Sequence, residues 1–174
     1  MIRKNAEKEN VLKRFMLCAA LLAASAGTAM AQDVVRHPIP NSDFPIAQAI
    51  EIPAGMTRVL VSGTVPSVMD QNADPKTAAA YGADTEAQTV NVMKGIEAKL
   101  KDMGLGLGDV VKLQVYLVAP EGAQAMDFAG FMKGYTQFFG PGKQTNLPTR
   151  SVFEVAGLAN PAFLVEIEAE AVRK

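Results

Sequence analysis

The chain has 174 residues, with seventeen Lys and Arg, eighteen Asp and Glu, and a formal net charge of −1. That balance gives no general attraction for nucleic acid or anionic lipid. One Cys and one His exclude an internal disulfide and a Cys/His zinc site. An apolar content of 49% is too high for a disordered chain, and the length suits one domain with a real core.

The totals average over two unlike segments. Arg3, Lys4, Lys8, Lys13 and Arg14 precede the apolar run 15–24, and small residues then lead to Ala29-Met30-Ala31. A basic start, a short apolar middle and an A-x-A end make a secretory signal peptide over residues 1–31. The run is shorter than the roughly 20 residues a membrane-spanning helix needs. Cleavage after Ala31 leaves a single domain over residues 32–174, with net charge −4 and no cysteine. The expected location is the periplasm or the exterior, where a thiol-free chain avoids mispaired disulfides. The mature charge leaves neither nucleic acid nor membrane as an expected partner.

Residues 32–45, with His37, Pro38, Pro40 and Pro45, read as an irregular lead-in, and His37 as a surface residue. Strands are expected over 47–52 and 57–63, and the short gap between them suggests a hairpin. Residues 64–83 form a long loop rich in Asp, Asn and Pro. A helix follows, capped by Asp84 or Thr85. Ala87, Val90, Met93, Ile96, Leu100 and Met103 should form its apolar face. Gly104, Gly106 and Gly108 end it in a turn. Val111, Leu113, Val115 and Leu117 alternate with polar residues, the period of a half-buried strand.

A second helix carries Phe128, Phe131, Met132, Tyr135, Phe138 and Phe139, a stripe expected to pack on a sheet. Gly140-Pro141-Gly142 stops it, and two strands close the chain near 150–155 and 163–172. The order β-β-α-β-α-β-β describes an α+β domain of two layers.

Two places stand out chemically. Arg150 lies beside an apolar strand, and its guanidinium fork suits a two-point grip on a carboxylate. The plainer reading is an exposed strand Arg, or one paired to a nearby Glu. In the last strand, Glu166, Glu168 and Glu170 share one face. That is a solvated sheet face, or a pocket where one carboxylate handles a proton or a water.

Six segments, in order, carry a resemblance. They are Val61-Ser62-Gly63, Glu86-Ala87-Gln88-Thr89, Gly108-Asp109-Val110-Val111-Lys112, Tyr135-Thr136-Gln137-Phe138-Phe139, Pro148-Thr149-Arg150-Ser151 and Val165-Glu166-Ile167-Glu168-Ala169. Together they resemble the RidA/YjgF family of reactive-intermediate deaminases over roughly residues 40–173. The resemblance implies a chorismate-mutase-like two-layer sandwich. It implies a homotrimer with a central barrel and a cleft at each subunit boundary. It also implies hydrolysis of imines and enamines of amino acids to 2-oxo acids and ammonia, with no cofactor or metal.

By the same resemblance Arg150 binds the substrate carboxylate, Glu166 positions the attacking water, and Ser62 and Gly63 line the cleft. Three further cleft positions depart from the family pattern: Ile46 replaces a Tyr, Met132 an Asn and Val152 a Cys. The cleft wall is thus more apolar. This points to a bulkier or more apolar imine, or to a non-catalytic module that binds a small carboxylate or aromatic ligand. A ribonuclease reading conflicts with the acidic mature chain and its lack of a basic stripe.

Overall fold

The computed structural model describes residues 33–173, so the expected signal segment lies outside the described residues. Eight strands and helices follow in chain order: β1 (Val35–Pro38), β2 (Ala47–Glu51), β3 (Thr57–Thr64), α1 (Thr85–Asp102), β4 (Val110–Leu117), α2 (Phe128–Tyr135), β5 (Thr149–Glu154) and β6 (Val165–Arg173). The expected α+β order is present, preceded by one additional strand, β1, in the stretch read as irregular.

That strand changes the pairing. β2 pairs antiparallel with β1, whereas β3 pairs with β6. The gap between β2 and β3 therefore joins two sheets and does not close the expected hairpin. The main sheet has the order β3-β6-β4-β5, with β4 and β5 parallel and the other pairs antiparallel. The β1–β2 ribbon is tied to this sheet by Arg36, whose guanidinium donates to the carbonyls of Gly108, Val110 and Leu147 at 2.8–3.0 Å. Burial lowers the Arg36 pKa, and Asp109 opposes that shift. His37 is half exposed and meets Glu51 at 2.7 Å on the ribbon surface.

Period-two patterning places one face of the main sheet under the helices. Leu113, Val115, Leu117, Val165, Ile167 and Ala169 form that buried face. Helix α1 begins where the Asp84 carboxylate accepts from the Ala87 N–H at 2.7 Å. Met93, Ile96 and Leu100 are fully buried as expected, but Met103 is exposed.

The buried face of α1 also includes Gln88, Thr89 and Val92, so it is rotated from the expected stripe. Gln88 explains the rotation. Its amide donates to the Ala162 carbonyl at 2.9 Å and accepts from the Leu164 N–H at 2.8 Å. Two backbone groups of the segment entering β6 are thereby satisfied.

Helix α2 stops at Tyr135, four residues before the end of the expected stripe. Phe131, Tyr135 and Phe139 are fully buried, while Phe128 is 38% exposed. The two helices pack closely at Gly134, where a Cβ would come within 2.9 Å of the Glu86 carbonyl oxygen.

The long loop 64–83 is a built element. It contains a turn of 3-10 helix at Ala78–Tyr81. Tyr81 packs edge-on against Phe163 at 5.0 Å, and Asn91 accepts from and donates to Ser67. No helix among the described residues is long and apolar enough to cross a membrane.

Candidate functional site

Strand parity sorts the candidate residues into two groups. Arg150 is in register with Leu113, and Leu113 is in register with Ala169. Arg150 therefore belongs to the helix-covered face. Glu166 is in register with Tyr116, one step out of phase with Leu113. It belongs to the uncovered face. One protomer does not bring Arg150 and Glu166 to the same side of its sheet.

On the covered side, the Arg150 guanidinium carbon lies 4.3 Å from the ring centre of Tyr135, 5.0 Å from Phe131 and 5.4 Å from Phe44. Cation–π attraction offsets part of the cost of removing the cation from water. Burial still lowers the Arg150 pKa, with Tyr135 opposing the shift. Even so, an arginine stays protonated near neutrality. Its Nε and Nη1 have no hydrogen-bond partner, and no carboxylate among the described residues pairs with it. The exposed-strand reading and the Glu-paired reading both fail for this residue.

The rings are held in place. The Tyr135 hydroxyl donates to the Pro45 carbonyl at 2.8 Å, and the Ala47 N–H donates to the Pro148 carbonyl at 2.9 Å. Burial pushes the Tyr135 phenol well above its usual range, and Arg150 opposes that shift. It is a neutral donor. Ile46, Met132 and Val152 pack against the same core as partly buried side chains. All three thus sit in the apolar layer on the Arg150 side.

On the uncovered side, β3 carries a bulge at Ser62-Gly63, between the pairs Val61–Ala169 and Thr64–Ile167. A Cβ at Gly63 would overlap the Glu166 carboxylate. Glycine at 63 is what lets that carboxylate lie against the β3 backbone. Ser62 is exposed beside it. Tyr116 donates to Glu168 at 3.2 Å and receives from Gln114, and its ring stacks on Phe153 at 6.0 Å. Leu60 and Phe153 are 75% and 45% exposed on this face.

Burial and Glu168 raise the Tyr116 pKa, burial being the larger influence. A cavity of about 270 Å³ lies here among Leu60, Ser62, Lys112, Gln114, Glu168 and Glu170. Two larger surface clefts, about 710 Å³ over the outer side of α1 and about 700 Å³ beside Arg36, touch neither Arg150 nor Glu166.

Sequence reasoning missed Phe44, and it took Phe131 and Tyr135 for core alone. The buried phenol was the available signal, because a buried hydroxyl needs a partner. That partner, Pro45, adjoins Phe44.

The chain matches the family model described as Endoribonuclease L-PSP over residues 40–173. It is 32% identical over 146 residues to a RutC family protein of Pyrococcus abyssi, covering 83% of this chain and all of that one. It is 31% identical over 145 residues to the 2-iminobutanoate/2-iminopropanoate deaminase of Salmonella typhimurium, again covering 83% of this chain and all of the relative. Among solved structures, that of Escherichia coli TdcF with bound serine superposes with a TM-score of 0.53 at 29% identity. It covers 82% of this chain and 99% of that one.

Proposed function

The chain belongs to the RidA/YjgF family, and we propose that it hydrolyses imine and enamine intermediates of amino acids to 2-oxo acids and ammonia, outside the cytoplasm and without a cofactor. The observation that carries this reading is Arg150: a partly buried cation seated on three rings, with its Nε and Nη1 unpaired. Such a group is a grip for a small carboxylate. The Salmonella relative's name and the serine bound to TdcF supply independent support for a small amino-acid-derived ligand.

The chemistry needs little more than that grip and a base. Arg150 holds the carboxylate and so fixes the imine carbon beside it. Glu166 takes a proton from water as the water oxygen bonds to that carbon. The C=N electron pair moves to nitrogen, which takes that proton from Glu166 and frees the carboxylate again. The C–N bond of the resulting carbinolamine then breaks. The hydroxyl proton passes through the carboxylate to the departing nitrogen, which leaves as ammonia.

Because Arg150 and Glu166 lie on opposite faces of one sheet, we place each working site between two protomers of a homotrimer. The sheet face bearing Leu60 and Phe153 would be covered by neighbouring copies. Export rests on the N-terminal sequence. N-terminal sequencing of the secreted protein should begin at Gln32.

Imino acids generated in place by an amino-acid oxidase test the reaction. The wild type should speed their decay, and Arg150→Ala and Glu166→Gln should not. A second reading, ligand binding without turnover, is favoured by the fact that one protomer alone has the carboxylate grip but not the base. Saturable binding of 2-oxo acids, lost in Arg150→Ala and unaccompanied by any turnover, would establish it instead.

A further inference from the structure

Phe44 differs from the other two rings around Arg150. Phe131 and Tyr135 are fully buried, and they cover the guanidinium from the core. Phe44 is 40% exposed and lies on the same guanidinium at 5.4 Å. It is the ring of the three that both the cation and the solvent meet.

Its position is set from both sides. The Phe44 N–H donates to the Ser42 hydroxyl at 3.2 Å, and its carbonyl accepts from the Ile46 N–H at 2.8 Å. The next carbonyl, that of Pro45, is held by Tyr135. The ring is thus carried on a tethered turn.

A carboxylate hydrogen-bonded to Arg150 at about 2.8 Å holds its own α-carbon about 5–6 Å from the guanidinium centre. That is the distance at which the Phe44 ring stands. For a carboxylate that enters from the solvent side, where Phe44 is the exposed ring of the three, the ligand's side chain comes within reach of that ring. Ile46, Met132 and Val152 are partly buried apolar groups of the same layer. No carboxylate among the described residues pairs with Arg150 to offer a polar contact there.

We infer that Phe44 is a specificity-determining residue that selects 2-imino acids, and their 2-oxo products, with branched or aromatic side chains over short ones. The inference rests on Arg150 as the carboxylate grip. Each methylene that fills such an apolar wall is worth roughly tenfold or more in discrimination.

Calorimetric titration of the full mature protein with pyruvate, 2-oxobutanoate, 4-methyl-2-oxopentanoate and phenylpyruvate tests it without requiring turnover. The wild type should bind the last two at least about tenfold more tightly than pyruvate. In Phe44→Ala that ratio should fall to within about threefold. Phe44→Leu, which keeps an apolar group, should fall between them.

Circular dichroism of each variant confirms the fold. The matching imino acids, made with an amino-acid oxidase, should show the same ranking, carried in KM more than in kcat. Graded binding with no turnover would remove the deaminase reading and keep the role of Phe44. Turnover with a side-chain preference unchanged in Phe44→Ala would do the reverse. No gradation, or no binding of any 2-oxo acid, overturns the inference.

Discussion

The two faces of the main sheet solve opposite problems with the same strands. On one face, helices α1 and α2 cover an apolar layer, and a single cation, Arg150, is tolerated because aromatic rings surround it. On the other, three glutamates of β6 stand beside Leu60, Tyr116 and Phe153, with no helix of the described residues over them. The first face packs its apolar core within one chain, although Arg150 keeps unpaired donors. The second, in the proposed trimer, is finished by another copy. Substitutions should therefore separate into those that unfold the protomer and those that spare it but disable the site or the assembly.

The largest effect belongs to the covered face. Phe131→Ala removes a fully buried ring that also seats Arg150. It should cost about 3–5 kcal/mol of stability in a denaturant titration, and activity with it. If Phe131→Ala unfolds like the wild type, the picture of a closed aromatic layer is wrong.

Gly63→Ala should act on the other face without unfolding the chain. The added Cβ must push the Glu166 carboxylate from its place. Misplacement of about 1 Å costs on the order of a hundredfold in rate. The drop should appear in kcat, with 2-oxo acid affinity largely kept, because Arg150 is untouched.

Leu60→Asp puts a charge on the most exposed apolar side chain of the uncovered face. Light scattering should show a lower mass than the wild type, with an unchanged far-ultraviolet spectrum. A retained trimer would mean that this face is not the contact.

The smallest effect is a pH dependence. Arg58 holds the Glu170 carboxyl below its ordinary value of 4.5, with burial opposing and Lys112 assisting. A carboxylate with a lowered folded pKa contributes stability above its unfolded value, and loses it as pH falls through the folded one. Glu170→Gln should therefore melt slightly earlier than the wild type near neutrality, and the gap should close as pH falls below the ordinary carboxyl range. Arg58 is mostly solvent-exposed, so screening keeps the gap small.

What could be read from sequence follows the same division. The β4 and β6 alternation is local, and it puts Glu166, Glu168 and Glu170 together on one face. The covered-face environment of Arg150 is not local. Its rings come from residues 44, 131 and 135, and only the fold brings them to position 150. Strand β1 escaped notice because four residues ending at a proline carry no period of their own; β2 and the Arg36 tether hold them. Gln88 escaped because a polar side chain inside a helix reads as surface until its backbone partners at 162 and 164 are known. The opposed faces of Arg150 and Glu166 depend on the register through β4, which neither strand reveals alone.

The central claim is that Arg150 and Glu166 serve one site from two protomers, and subunit mixing tests it most directly. Arg150→Ala and Glu166→Gln should each be inactive as pure proteins. Unfolded together, refolded, and shown by native mass spectrometry to form mixed trimers, they should recover activity. In random trimers about a quarter of the boundaries would pair an intact Arg150 with an intact Glu166, so about a quarter of wild-type activity should return. Mixed trimers that remain as inactive as their parents would contradict the claim.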